Sequence, residues 1–288
     1  MRVTLHLVTT DDCRSFRALL QPMIERVFAS TQFWRRIKGI DLTALLKDGR
    51  DLIEDQPLTR AQLGPMLAQR WPGYDPTSLA YAVSYLLPTI QTPPRGLWQL
   101  NGPSAVTTLE HWLDADLARE PSPDEFVLRY LGAFGPASVR DAQVWSGLTR
   151  LGEVFERLRP QLVTFTDPAG RELFDLPDAP RPDEDVEAPV RYLPEFDNLL
   201  LSHDDRSRVN PVGLPPPIPP GNGGTSGTVL VDGCWRADWK LSQDNGTAIV
   251  AVTAHERLAP TDKAEVLAEG HRLLAFLAPG AERTDVRV

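Results

Sequence analysis

The stretch Q161-LVTFTDPAGRELFD-L176 decides the fold of this 288-residue chain. Residues on either side of Asp167-Pro168-Ala169-Gly170 alternate apolar and polar, the period of a half-buried strand, and the four residues between them suit a tight turn. The stretch therefore predicts a two-stranded ribbon. A lone ribbon is marginal in water and needs a partner surface. The sequence before it supplies one. Residues 122–131 predict a helix with Pro123 in its first turn, and Ser138 caps a short helix that Gly147 ends. Thr149 begins a third, in which Leu151, Val154, Phe155 and Leu158 fall on one face until Pro160 stops it.

The same order recurs about 70 residues earlier. Residues 41–55 predict a helix with Leu42, Leu45, Leu46 and Ile53 inward. Thr59 caps a second, which Pro72-Gly73 ends, and Asp75 with Pro76 starts a third. Residues 89–100, TIQTPPRGLWQL, then predict a second ribbon. Three helices closed by a ribbon is the winged-helix plan, and two copies with little identity are a repeat of architecture. Beyond residue 187 the texture turns to strands, with hairpin signals at Asp232-Gly233 and Asn245-Gly246, and a last helix over 261–277. The expected class is α+β: tandem winged helices, then a small β-rich C-terminal domain with a terminal helix. The expected segments are 1–40 (remainder of a first winged helix, and linker), 41–104, 105–178 and 179–288. The acidic, Pro-rich tract 178–187 and the Pro/Gly-rich span 211–227 are expected to be loops.

Composition narrows the function. The net charge of −9 is the wrong sign for indiscriminate phosphate binding, so any nucleic-acid contact must be a local basic face. No apolar run is long enough to span a bilayer. Cys13 and Cys234 stand far apart without a CxxC, which suits a reducing, cytoplasmic compartment. His6, His111, His203, His255 and His271 show no metal-ligand spacing, GNGGTSGT lacks a P-loop lysine, and no GxSxG elbow is present. No metal and no cofactor are expected.

The densest cations are in FWRRIKG, with Arg35, Arg36 and Lys38 beside Trp34; the alternative there is a surface loop with a buried Trp. Arg140, Arg150, Arg157 and Arg159 lie on or beside the later helices, where Glu153 with Arg157 is the ordinary ion-pair alternative. Arg206 and Arg208 fall in HDDRSRV, where neighbouring carboxylates can hold an arginine toward phosphate. The third helix of the earlier trio presents Thr77, Tyr81, Ser84 and Tyr85 without a cation and is expected to pack on a neighbour.

Several stretches together carry a family resemblance: TLHLVTTDD (4–12), LLQPM (19–23), GPAS…TRLGEVFERL (135–158), YLPEFDNLLLSHDDRSRV (192–209) and TVLVDGCWRADWK (228–240). The chain resembles the bacterial winged-helix DNA-binding-domain family that includes DNA glycosylases acting on alkylated bases and interstrand crosslinks. The resemblance implies double-stranded DNA, alkylated or crosslinked, as the partner of a monomeric, nucleoid-associated protein. It also implies a catalytic Gln-x-Gln or Gln-x-Asp in an earlier winged helix. No Gln-x-Gln occurs here, so the expectation is either a start that lies upstream or a shortened relative that is inactive alone. His6 and Asp197 are the residual candidates for a catalytic role; a strand histidine and a capping carboxylate are the plainer readings. A winged-helix transcriptional regulator and a pair of protein-interaction modules are the rival functions.

Overall fold

The computed structural model describes residues 4–183, 185–215 and 225–288. Most of the expected Pro/Gly-rich loop, residues 216–224, and Glu184 of the acidic tract lie outside them. The chain begins with helices α1 (Thr10–Ser30), α2 (Gln32–Arg36), α3 (Leu42–Asp55), α4 (Arg60–Arg70) and α5 (Pro76–Leu86). Strands β1 (Thr89–Gln91) and β2 (Val106–Thr108) and helices α6 (Leu109–Leu113), α7 (Pro123–Phe134), α8 (Val139–Ser146) and α9 (Leu151–Leu158) follow. Then come β3 (Val163–Thr166), β4 (Glu172–Asp175), β5 (Arg191–Leu193), β6 (Gly227–Val231), β7 (Cys234–Asp244), β8 (Thr247–Ala254), α10 (Pro260–Leu277) and β9 (Arg283–Arg287). The class is α+β, with the C-terminal part built on a sheet and a terminal helix. Contacts divide the chain into two units, residues 1–130 with 146–161 and residues 131–145 with 162–288.

In the first unit, short polar side chains set the helix starts. Asp41 accepts from the Ala44 N–H at 3.1 Å, Thr59 and Gln62 form a reciprocal capping box, and Asp75 accepts from the Ser78 N–H at 2.8 Å ahead of Pro76. The inward stripes of α3, α4 and α5 then meet: Leu45, Ile53, Leu63, Leu67, Leu79 and Val83 are fully buried in one core. Phe28, Ile37 and Ile40 belong to the same core, which brings α1 and α2 onto α5. Arg17 of α1 donates to the carbonyls of Tyr85 and Leu87 at 3.1 and 3.0 Å, and Gln21 to that of Leu86 at 3.1 Å. A cation on the last carbonyls of α5 satisfies groups the helix cannot satisfy itself. Phe33 stacks on Tyr81 at 3.7 Å and Phe28 lies 5.5 Å from Tyr85, so the two tyrosines of the uncharged face pack on residues of α1 and α2, while Thr77 is exposed.

The first ribbon differs from its sequence-based outline. β1 pairs with Val106–Thr108, and Leu97–Leu100 form turns in the connection. The apolar LWQL looks strand-like, yet Val106, which is buried and bridges Leu58 between α3 and α4, wins the pairing. The second ribbon forms where expected: β3 pairs with β4, and the Gly170 N–H closes the turn on the Asp167 carbonyl at 2.9 Å. It has an equivalent bridge, Ala137 between α7 and α8 with Phe174 of β4. α9 starts at Leu151, later than Thr149 suggests, because Arg150 takes a left-handed conformation (φ 62°) that no helix continues.

The second unit holds a five-stranded sheet in the order β5-β6-β7-β8-β9, antiparallel except for the β8–β9 pair. Asp232-Gly233 and Asn245-Gly246 both take left-handed φ values and make the two hairpin turns. One face buries Val229, Ala237, Val250 and Val252 against Val266 and Leu274 of α10. The other is capped by Leu200 over Leu230 and Trp235. Gly227 is required where it stands: the Trp239 indole passes over it to donate to the Leu193 carbonyl at 2.8 Å, and a Cβ would sit 2.6 Å from that oxygen.

Candidate nucleic-acid interface

The basic loop HDDRSR is held from the turn between α7 and α8. Ser138 and Asp141 form a reciprocal cap: the Asp141 N–H donates to Ser138 Oγ at 3.2 Å, and the Ser138 N–H to Asp141 Oδ2 at 2.7 Å. Asp141 is buried, and its second oxygen, Oδ1, accepts the backbone N–H of Asp204 at 2.8 Å. His203 Nε2 donates to the Phe134 carbonyl at 3.0 Å, while Nδ1 lies 2.7 Å from Ser202 Oγ, a geometry that assigns the Nε2–H tautomer. Burial, seconded by the nearby Arg208 charge, pushes the His203 pKa down, so the ring is held neutral. Arg208 donates to the Pro136 carbonyl at 3.1 Å. Residues 203, 204 and 208 are thus pinned to 134, 141 and 136. The N–H groups of Val209 and Asn210 both turn back on the Arg206 carbonyl, at 3.0 and 2.7 Å.

The loop's carboxylates are already engaged. Asp204 faces Arg140 at 3.3 Å. Asp205 accepts the Ser207 N–H at 2.9 Å and pairs with Arg171, which also reaches Asp167 at 2.6 Å. The Ser207 N–H and hydroxyl, and then Arg171, hold the Asp205 carboxyl down to about 2. Arg206 stands differently. Among the described residues it has no ion pair, and its Nε is buried without a hydrogen-bond partner. The side chain as a whole is partly exposed, so its uncompensated charge can meet an anion from outside.

Of the cations expected to contact DNA, Arg140, Arg206 and Arg208 come together here. The others lie in the first unit. Arg35 and Lys38 are exposed at the end of α2, and Arg36 makes a long contact to Asp75 at 3.8 Å. Trp34 packs into the core against Phe28, so the aromatic in FWRRIKG is structural. Arg150 is exposed. Arg157 is tied by both its Nε and Nη2 to Asp124, at 3.0 Å through Nε, in place of the helical pair with Glu153, and Arg159 pairs with Glu156. Asp197 accepts the Leu199 N–H at 2.8 Å and caps the short turn before the loop. The strand expected around His6 does not form: residues 4–9 pair with nothing as strand among the described residues, Leu5 and Leu7 are exposed, and His6 contacts Thr4 at 2.8 Å. Sequence reasoning missed Asp141 and Arg171. Ser138-x-x-Asp141 carries the signature of a capping box; nothing local marks Arg171.

Both cysteines are free. Among the described residues no cluster of His, Cys, Asp and Glu is placed to hold a metal, and no helix is long and apolar enough to cross a membrane.

The fold is that of a DNA glycosylase: the structure is similar to the Streptomyces sahachiroi DNA glycosylase AlkZ, with a TM-score of 0.71 and 22% identity over 100% of this chain and 80% of that one. The family model described as DNA glycosylase AlkZ-like matches residues 1–276, and the chain belongs to that family. No curated protein matches the sequence. Family membership agrees with the glycosylase resemblance read from the sequence.

Proposed function

We propose that this chain binds duplex DNA and serves in the repair of alkylated or crosslinked bases, as a monomer at the nucleoid. Its two sets of three helices and a ribbon are read as winged helices, over residues 41–104 and 105–178. The support is the repeated topology: in each set a residue between the first and second helices, Leu58 or Ala137, bridges the ribbon's second strand. Membership of the AlkZ-like family supports DNA as the partner and base excision as the chemistry. Excision needs the lesion's glycosidic bond brought to a group that orients water and stabilises a cationic sugar.

The observation that carries the reading is Arg206. A buried, unpartnered Nε sits in a loop whose two carboxylates are neutralised by Arg140 and Arg171 and whose backbone is fixed by Asp141. That arrangement presents a pre-oriented cation to a phosphate, the commonest contact between proteins and DNA. The first unit adds Arg35, Lys38 and Arg150 as exposed phosphate partners.

The test is duplex binding by fluorescence anisotropy, together with base release from an N7-alkylated or crosslinked duplex. The reading expects salt-sensitive binding that Arg206→Ala weakens; in this chain, which has no Gln-x-Gln, base release without a further segment is not expected. Binding that is absent, or indifferent to salt, overturns it.

A further inference from the structure

A small recess opens on the C-terminal sheet, on the face that Leu200 covers. Pro194, Phe196, Asp197 and Leu200 line it from the segment after β5, and Thr225 and Thr228 line it from the start of β6 and just before. Thr228 lies two residues from Leu230, so the alternation of the strand puts both side chains on this face. Thr225 and Thr228 are only 6% and 3% exposed, and their hydroxyl oxygens are buried without a hydrogen-bond partner. A buried hydroxyl with no bond is costly, so two of them in one recess mark a place where something enters and bonds them. The enclosed part of the recess has room for one water-sized group. Phe196 stands beside it, 56% exposed, with a left-handed φ of 59° that a bulky side chain rarely takes. Strain of this kind persists where the surrounding structure holds a side chain for use.

Chemistry selects the ligand. Among the described residues no Lys, Arg or His lines the recess, so nothing there would pair with a phosphate or a carboxylate. Its one carboxylate, on Asp197, already accepts the Leu199 N–H. What remains on offer is an aromatic face and two hydroxyls, each able to donate and to accept. A flat ring with donors and acceptors along its edge answers both, and a nucleobase is such a ring.

We infer that Phe196, Thr225 and Thr228 form a nucleobase site, in which the ring lies on Phe196 and one edge group enters the recess to bond the hydroxyls. The inference rests on the DNA-binding reading, which supplies the base, and adds a place for a base that has left the stack. The role of the site is to hold the ring, not to break its bond to the sugar.

A base can arrive still in the strand or already released, and the experiment has an arm for each. In the first, anisotropy compares a duplex carrying one bulged adenine with the same duplex carrying an abasic bulge and with a fully paired duplex. The wild type should bind the bulged adenine about tenfold more tightly than the abasic bulge. In the second, equilibrium dialysis measures uptake of free adenine. Phe196→Ala, and separately Thr225→Val/Thr228→Val, should bring the preference close to one and abolish any uptake. The threonine variant should also unfold at or above the wild-type temperature, since it removes two buried, unbonded hydroxyls. A preference or an uptake that the variants abolish supports the site. A wild type with neither, or variants equal to it in both arms, overturns the site. So does a threonine variant that unfolds well below the wild type, which would show the hydroxyls to be bonded within the protein. A wild type that takes up adenine but binds no duplex is a different result: it keeps the site and removes the DNA-binding reading.

Discussion

The Oδ1 oxygen of Asp141 accepts the backbone N–H of Asp204 at 2.8 Å, across 63 residues of sequence, while its Oδ2 accepts the Ser138 N–H in the cap at the start of α8. One buried carboxylate thus fixes both the start of α8 and the course of the basic loop. Asp141→Ala should cost about 2–3 kcal/mol, since it removes a cap and strands a loop N–H. Asp141→Asn can keep an acceptor for one of the two and should cost less. Urea unfolding of both variants checks the ranking, and equal costs would contradict it.

Arg206→Ala should behave in the opposite way. Among the described residues its Nε has no hydrogen-bond partner and its charge no ion pair, so stability should not fall by more than about 0.5 kcal/mol. Duplex affinity should fall, and the slope of log K against log salt should lose about 1. Arg157→Ala, which breaks the pair with Asp124, should leave that slope unchanged.

His203 gives the fold a pH dependence. Its folded pKa is lowered by burial, so the unfolded chain takes up a proton first as pH falls. The stability that the neutral ring contributes is complete above the unfolded value, near 6.5, and is lost as pH drops through the lower folded value. Asp205 acts further down: its folded pKa of about 2 makes its contribution complete above about 4 and lost toward pH 2. Unfolding midpoints measured across pH 7 to 5 should decline in the wild type and decline less in His203→Gln.

Gly227→Ala should destabilise the C-terminal sheet by about 2–4 kcal/mol, because the new methyl group and the Trp239 indole claim the same space. The double variant Gly227→Ala/Trp239→Phe, with a smaller ring and no N–H to place, should recover part of the loss. Thermal unfolding distinguishes recovery from simple addition of two defects.

Much of the fold was legible because its signals are local. Asp41, Thr59 and Asp75 mark three helix starts within a few residues of where the helices begin, and Asn245-Gly246 marks a hairpin by backbone conformation alone. β9 was not legible: in RTDVR only Val286 is buried, and its pairing with β8 is parallel and follows a helix, with no turn to announce it. β2 was missed because three residues carry too little pattern against the more apolar LWQL. The arginines of the loop stood out by their place among carboxylates in HDDRSRV. Their bracing did not, since Asp141 and Arg171 reach the loop from 63 and 34 residues away and only the tertiary fold joins them.

The salt dependence of duplex binding tests the account most directly. Anisotropy titrations of the full chain at several salt concentrations should give log K falling linearly with log salt, with a slope near −0.9 for each phosphate engaged, and Arg206→Ala should shorten that slope by about one contact. A chain that binds no duplex, or binds with a slope near zero that Arg206→Ala leaves unmoved, would contradict it.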